Sequence, residues 1–267
     1  MYLCRHATGT SEDYILKAIE EGYSEIGISD HGPYHDYLKR KLNSRRMTMN
    51  EFFNDYIPDL NRLKEQYKDQ IKVLSSIEME YVPDMKSYLP VLRKQVDYMI
   101  LGQHVYYKNG YYYNVYADNK YEYPVCKILS EDLEIYADQV EEALNTGYFE
   151  ILAHPEILMI AYPKWDKHSE KMARRIIEVA IKNNVYLEFN VNGLRRTAYR
   201  PEGYLYGDLY MYPRGEFWNL VINEYKYDKI LINDDCHHLK HFNDDKTKMV
   251  REYFINNNIP FKDTMEL

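Results

Sequence analysis

Imidazoles and carboxylates stand in this 267-residue sequence wherever a short apolar run stops. Residues 25–29 lead into Asp30-His31, and residues 71–77 into Glu78. Residues 98–102 precede Gln103-His104, and 149–153 precede His154-Pro155. Residues 185–191 contain Glu188 and Asn190 and lead to Asn192, Arg195 and Arg196. Residues 229–232 lead to Asp234, Asp235, Cys236, His237 and His238. Neutral imidazole nitrogen and carboxylate oxygen are the ligand set of Zn²⁺, Fe²⁺ or Mn²⁺. A carboxylate such as Glu78 can bridge two ions, whose paired charge suits phosphoryl transfer. Each residue alone has an ordinary reading. A histidine after a strand is commonly a turn residue, and Asp30 or Asp234 could cap a following segment. Chance would have to repeat the pattern at five strand ends. His35, His168, His238 and His241 fit no strand end and read as surface or supporting residues. His6, ahead of the first helical stretch, is unremarkable by itself.

The elements that must position these groups alternate. The apolar runs are rich in Ile, Val, Leu and Tyr and mostly bounded by Gly, Asn, Asp or Pro, as strands are. Helical stripes separate them: Ile15, Ala18, Ile19 and Gly22, with Ser11 as cap and Gly22 as stop, then Met172, Ile176, Val179 and Ala180 before Asn183-Asn184. Residues 52–70 and 131–145 are long, charged and amphipathic. Strands of this type alternating with helices predict a parallel sheet covered by helices, as an open doubly wound sheet or a closed barrel. In a barrel, all strand C-termini share one face, where barrel enzymes carry their chemistry. Asn109-Gly110 predicts a tight hairpin within a tyrosine-rich stretch over residues 105–129.

Composition narrows the classes. The net charge is −8 with no long basic run, so nucleic acid is not the expected partner. No run approaches the roughly 18 apolar residues of a membrane span. The opening residues have no apolar core of a secretory signal. Cys4, Cys126 and Cys236 cannot all pair and show no C-x-x-C spacing, which fits a reducing cytoplasm. Dinucleotide, P-loop and nucleophile-elbow motifs are absent. The 30 tyrosines against 8 phenylalanines suit core edges that must reach water.

Taken in order, Ser29-Asp30-His31-Gly32-Pro33, Ile77-Glu78, Leu101-Gly102-Gln103-His104, Ala153-His154-Pro155 and Asp235-Cys236-His237 resemble the motifs of the PHP (polymerase and histidinol phosphatase) metal-dependent phosphoesterases. Cys4-Arg5-His6-Ala7-Thr8-Gly9 resembles the segment after that family's first strand. Asn190 to Arg196, followed by Tyr212-Pro213, is similar to its histidinol-phosphatase branch. The resemblance runs from His6 to His237.

What it implies is a single α/β domain over residues 1–267, a distorted (β/α)7 TIM-like barrel, with two to three divalent metal ions. His6, His31 and His237 would hold one ion, and Glu78, His104 and His154 a second. Glu78 would bridge to a third, shared with Asp235. Asp235 and His237 would be the catalytic residues, and Arg195 or Arg196 would bind substrate phosphate, which a guanidinium fork matches. The implied reaction is hydrolysis of L-histidinol phosphate in cytoplasmic histidine biosynthesis, with a small-molecule phosphate ester as partner and no nucleic acid or membrane. The family's opening H-x-H falls just before Met1, so its first strand is expected upstream of this sequence. Two alternatives stay open: a PHP phosphoesterase for another small phosphate or nucleotide, and a catalytically dead metal-binding member.

Overall fold

The computed structural model describes residues 2–42, 44–115, 128–195 and 212–267. Six parallel strands form one sheet: β1 (Glu25–His31), β2 (Lys72–Met79), β3 (Tyr98–Leu101), β6 (Ile151–Leu152), β7 (Tyr186–Asn190) and β8 (Ile230–Asn233). Their spatial order is their chain order, so each connection crosses to the next place in the sheet. The sheet curls as a half-barrel. Its two edges are β1 and β8, and no strand among the described residues joins them. The remaining strands, β4 (Val105–Lys108) and β5 (Tyr111–Asn114), form the separate hairpin expected at Asn109-Gly110. Both turn residues have positive φ, 52° and 87°, the conformation that a two-residue turn requires.

Local sequence explains the flanking helices. In the Ser11–Glu20 helix, Tyr14, Ile15 and Ala18 form the buried stripe. The expected cap moves by one residue. Thr10 accepts from the Asp13 amide at 3.2 Å, and Asp13 accepts from the Thr10 amide at 2.7 Å, leaving Ser11 as the first helical residue. This reciprocal pair satisfies two otherwise free amides. Gly22, at φ +78°, follows the helix end as expected. The long charged stretch forms the Ile57–Tyr67 helix behind one π-turn at Phe52–Tyr56. The Ser130–Leu144 and Lys167–Lys182 helices pack together. Arg175 of the latter reaches Glu134, Asp138 and Glu141 of the former.

Two apolar clusters result. The larger lies between the helices and the outer face of the sheet. The smaller fills the inside of the curl: Leu74, Tyr98, Ile100, Ile151, Ala153 and Tyr186, with Leu231 and Met265 against it. The C-terminal tail closes this inner cluster. The Lys262 amide donates to the Ile230 carbonyl at 2.8 Å, and the Glu266 amide to the Tyr186 hydroxyl at 3.0 Å. Each fully buried Leu or Ile contributes about 1.5–3 kcal/mol, so these clusters supply much of what holds the strands in place. No helix among the described residues is long and apolar enough to cross a membrane.

Candidate metal centre

Parallel pairing fixes where the ligand candidates emerge. His31 ends β1 and stands in register with Glu78 of β2. His104 follows β3 and His154 follows β6; Asp235 and His237 follow β8. Two of these positions have left-handed backbone, with φ +30° at His154 and +43° at Asp235. Non-glycine residues seldom adopt it, and such strain collects at functional sites. Gly102 opens the space that Glu78 needs. A Cβ there would stand 1.9 Å from Glu78 Oε1, so only glycine lets this carboxylate lie across β3.

The side chains converge. His6 Nε2 is 3.1 Å from His237 Nε2 and 3.2 Å from His31 Nε2. Glu78 lies among the others: Oε2 is 3.2 Å from His31 Nδ1, while Oε1 is 3.2 Å from His154 Nε2 and 3.5 Å from His104 Nε2. Among the described residues, two groups have donor atoms close enough to hold a metal ion: His6, His31 and His237, and His31, Glu78 and His104. His31 is common to both, and His154 meets the second through Glu78. Asp235 flanks the first group, with Oδ1 3.3 Å from His237 Nδ1. Lone pairs on facing imidazole nitrogens repel unless a proton or a cation stands between them. The donor set therefore fits divalent metal ions.

The surroundings orient these rings. His6 Nδ1 lies 2.9 Å from the Cys4 carbonyl, and His237 Nδ1 lies 2.9 Å from the Asp235 carbonyl. Asn190 and Asn192 donate to Asp235 Oδ2 at 3.2 and 3.0 Å. Glu188 accepts from the His154 amide at 3.1 Å. Sequence reading missed Glu80 and Arg46. Glu80 is fully buried, 2.9 Å from His104 Nδ1, and paired with the Arg46 guanidinium.

Electrostatics follow from the crowding. Packing around its ring, then the His237 imidazole, lowers His6 to about 4. Burial first, and then the Arg46 charge, holds His31 well below its ordinary 6.5. Both rings therefore offer lone pairs at neutral pH. Burial works against charging His154, but the hydrogen bond to Glu78 and its charge prevail and raise it to about 9. Burial also opposes the Glu78 charge; His104 and His154 outweigh it and bring the carboxyl to about 2. Burial raises Glu188 above the usual carboxylate range.

The remaining candidates lie elsewhere. Arg195 has its guanidinium engaged by protein groups. It donates to both Asp244 oxygens at 2.9 and 2.7 Å, to Asp234 Oδ1 and carbonyl at 2.9 Å, and to the His241 carbonyl and Thr247 hydroxyl. Arg196 lies outside the described residues. Neither Asp30 nor Asp234 caps a helix. Asp30 accepts from the next amide, His31, and Asp234 from the Asn243 amide. His35 caps the Asp36–Lys41 helix. His238 and His241 meet edge to face at 5.6 Å.

A family model, the PHP domain, matches residues 1–192. A protein of Schizosaccharomyces pombe named probable histidinol-phosphatase is 31% identical over 107 residues, 38% of this chain and 35% of that protein. The chain thus spans about a third of that relative's length. One of the same name from Deinococcus radiodurans is 24% identical over 201 residues, 73% of this chain and 72% of that protein. In structure, the chain resembles a proposed histidinol phosphatase, HisK, from Listeria monocytogenes: TM-score 0.74, 17% identity, covering 92% of this chain and 96% of that one. It also resembles the Lactococcus lactis histidinol phosphate phosphatase complexed with zinc, L-histidinol and phosphate. There the TM-score is 0.68 at 17% identity, covering 98% of this chain and 92% of that one.

Proposed function

We propose, for a chain that belongs to the PHP domain family, that it is a metal-dependent phosphomonoesterase acting on L-histidinol phosphate. The convergence of three imidazole nitrogens at 3.1 and 3.2 Å, beside a carboxylate shared by His31, His104 and His154, carries this reading. The names of the relatives supply the substrate. Two to three divalent ions, zinc, iron or manganese, would occupy the centre. His6, His31 and His237 would hold one. Glu78, His104 and His154 would hold a second, with His31 in reach of both. Asp235 would complete the set, with His237 as its catalytic partner. Such ions supply Lewis acidity and lower the pKa of water in phosphate-ester hydrolysis.

The chain's own residues define how such a site would work. Asn190 and Asn192 hold Asp235 Oδ2, which keeps Oδ1 turned toward His237. His154 Nε2 lies 3.2 Å from Glu78 Oε1, and a cation bound there would take the place of a proton on the imidazole. For Arg195 to bind substrate phosphate, its guanidinium would have to release Asp234 and Asp244. In the observed pose it instead fixes the exit of β8, from which Asp235 and His237 project. The product would be a small alcohol and inorganic phosphate, in keeping with a cytoplasmic biosynthetic role.

The test is phosphate release from L-histidinol phosphate and from p-nitrophenyl phosphate, with the protein stripped of metal and then reloaded with zinc or manganese. The expected result is metal-dependent turnover with a much higher kcat/KM for histidinol phosphate. Equal activity on the aryl ester would overturn the substrate, and turnover that survives stripping would overturn the metal.

A further inference from the structure

We infer that Glu80 is the positioning residue of His104: it holds the ring so that Nδ1 carries the proton and Nε2 is left for a cation. The inference rests on the metal reading above and adds a role to a residue outside the ligand set.

Glu78 and Glu80 are two residues apart at the end of β2, and strand alternation brings both carboxylates to one side. Their environments differ. Glu78 faces three imidazoles. Glu80 is fully buried. Its Oε1 lies 2.9 Å from His104 Nδ1 and pairs with the Arg46 guanidinium, while Oε2 accepts from the Tyr34 hydroxyl. The opposite nitrogen of the same ring, Nε2, lies 3.5 Å from Glu78 Oε1. His104 thus spans two carboxylates. Arg46 donates to Oε1 and the Tyr34 hydroxyl to Oε2, so both Glu80 oxygens act as acceptors and the hydrogen between Glu80 and His104 sits on Nδ1. That places the ring's lone pair on Nε2, on the side of the metal-type cluster. A carboxylate behind a ligating histidine fixes its tautomer and raises its basicity.

The rest of the network holds Glu80 still. Arg46 stands 5.0 Å over the Tyr34 ring and also reaches the Glu78 carbonyl. Its own loop is tied to the segment that carries His6. The Arg5 guanidinium donates to the Leu3 carbonyl at 3.0 Å and to the Arg45 carbonyl at 2.8 Å. A buried carboxylate without such partners would be costly. With them, the guanidinium offsets the charge and the hydroxyl fixes the second oxygen.

Two measurements test this. The first is the tautomer of His104 in metal-free protein carrying ¹⁵N-histidine, read by long-range ¹H–¹⁵N NMR and assigned with His104→Gln. The expected form has hydrogen on Nδ1. The second is zinc affinity by chelator competition in Glu80→Leu and Glu80→Gln, with circular dichroism as the check on folding. Glu80→Leu should bind zinc about 10–100-fold more weakly. Glu80→Gln keeps an acceptor oxygen and should recover part of that loss. A role limited to stability would lower the melting temperature and leave zinc affinity alone, and that result would overturn the inference. Hydrogen on Nε2 would overturn it too, and this measurement needs no altered side chain at Glu80. If the unaltered protein binds no zinc, the metal reading fails, while the His104 tautomer still reports on Glu80.

Discussion

His154 and Glu78 form the pair whose charge state should be easiest to observe in the metal-free protein. His154 is raised from 6.5 to about 9, so its contribution is fully present below pH 6.5 and is lost as pH climbs through 9. Glu78 is depressed from 4.5 to about 2, so its contribution is present above 4.5 and is lost as pH falls toward 2. The shifts overlap, since Glu78 also answers to His104, and the raised His154 by itself is worth on the order of 3 kcal/mol. The melting temperature of the stripped protein should therefore fall by several degrees between pH 6.5 and pH 9. A flat or rising profile would refute the pairing. Saturating zinc should remove the fall, because the ion replaces the proton. Most of these residues were legible in the sequence, because a parallel sheet delivers every strand end to one face. Glu80 was not. Ile77-Glu78-Met79-Glu80 offers two carboxylates in equivalent positions, and only the approach of Arg46, from a distant loop, separates their roles.

At the scale of elements, Gly102 shows how closely one strand exit depends on the next. Gly102→Ala would drive a Cβ into Glu78 Oε1, so Glu78 must turn away or β3 must shift. The expected cost is about 1–3 kcal/mol, together with lost metal, measurable by thermal melting and elemental analysis. Full metal content in this variant would show that Glu78 can ligate from another rotamer. Arg195 poses a sharper choice. If it clamps substrate, Arg195→Ala keeps the metals and raises KM for histidinol phosphate. If it anchors the β8 exit through Asp234 and Asp244, the same change lowers both stability and metal content. The sequence could not separate these outcomes, since its carboxylate partners lie about forty and fifty residues downstream. Burial pushes Asp244 up, but Arg195 and the Thr247 amide outweigh it and hold this carboxyl below its usual range. The helix cap at Ser11 failed for a simpler reason. Thr10 and Ser11 are both capping residues, and Asp13, three positions after Thr10, decides between them.

At the scale of the molecule, the strand order and the inner cluster follow from a repeated strand–helix alternation. The alternation alone left open or closed sheet undecided, and the family resemblance implied the barrel. A half-barrel with its ligand candidates on several strands should be tightened by the ions it holds. Metal at a hundred times its Kd adds about 2.7 kcal/mol. A chelator should thus lower the melting temperature reversibly, and an unchanged melt would mean that the centre contributes nothing to folding. The two edges of the sheet carry a different consequence. β1 has no described strand on its outer side, and β8 is met there only by the C-terminal tail, whose Lys262 amide donates to the Ile230 carbonyl. Exposed edges are templates for pairing with another molecule. Their colloidal signature is attraction between copies that grows with protein concentration and persists in high salt, where a net charge of −8 no longer keeps them apart. Light scattering across a concentration series in 0.5 M salt should show a negative second virial coefficient, and a short strand-forming peptide in excess should bring it back toward zero.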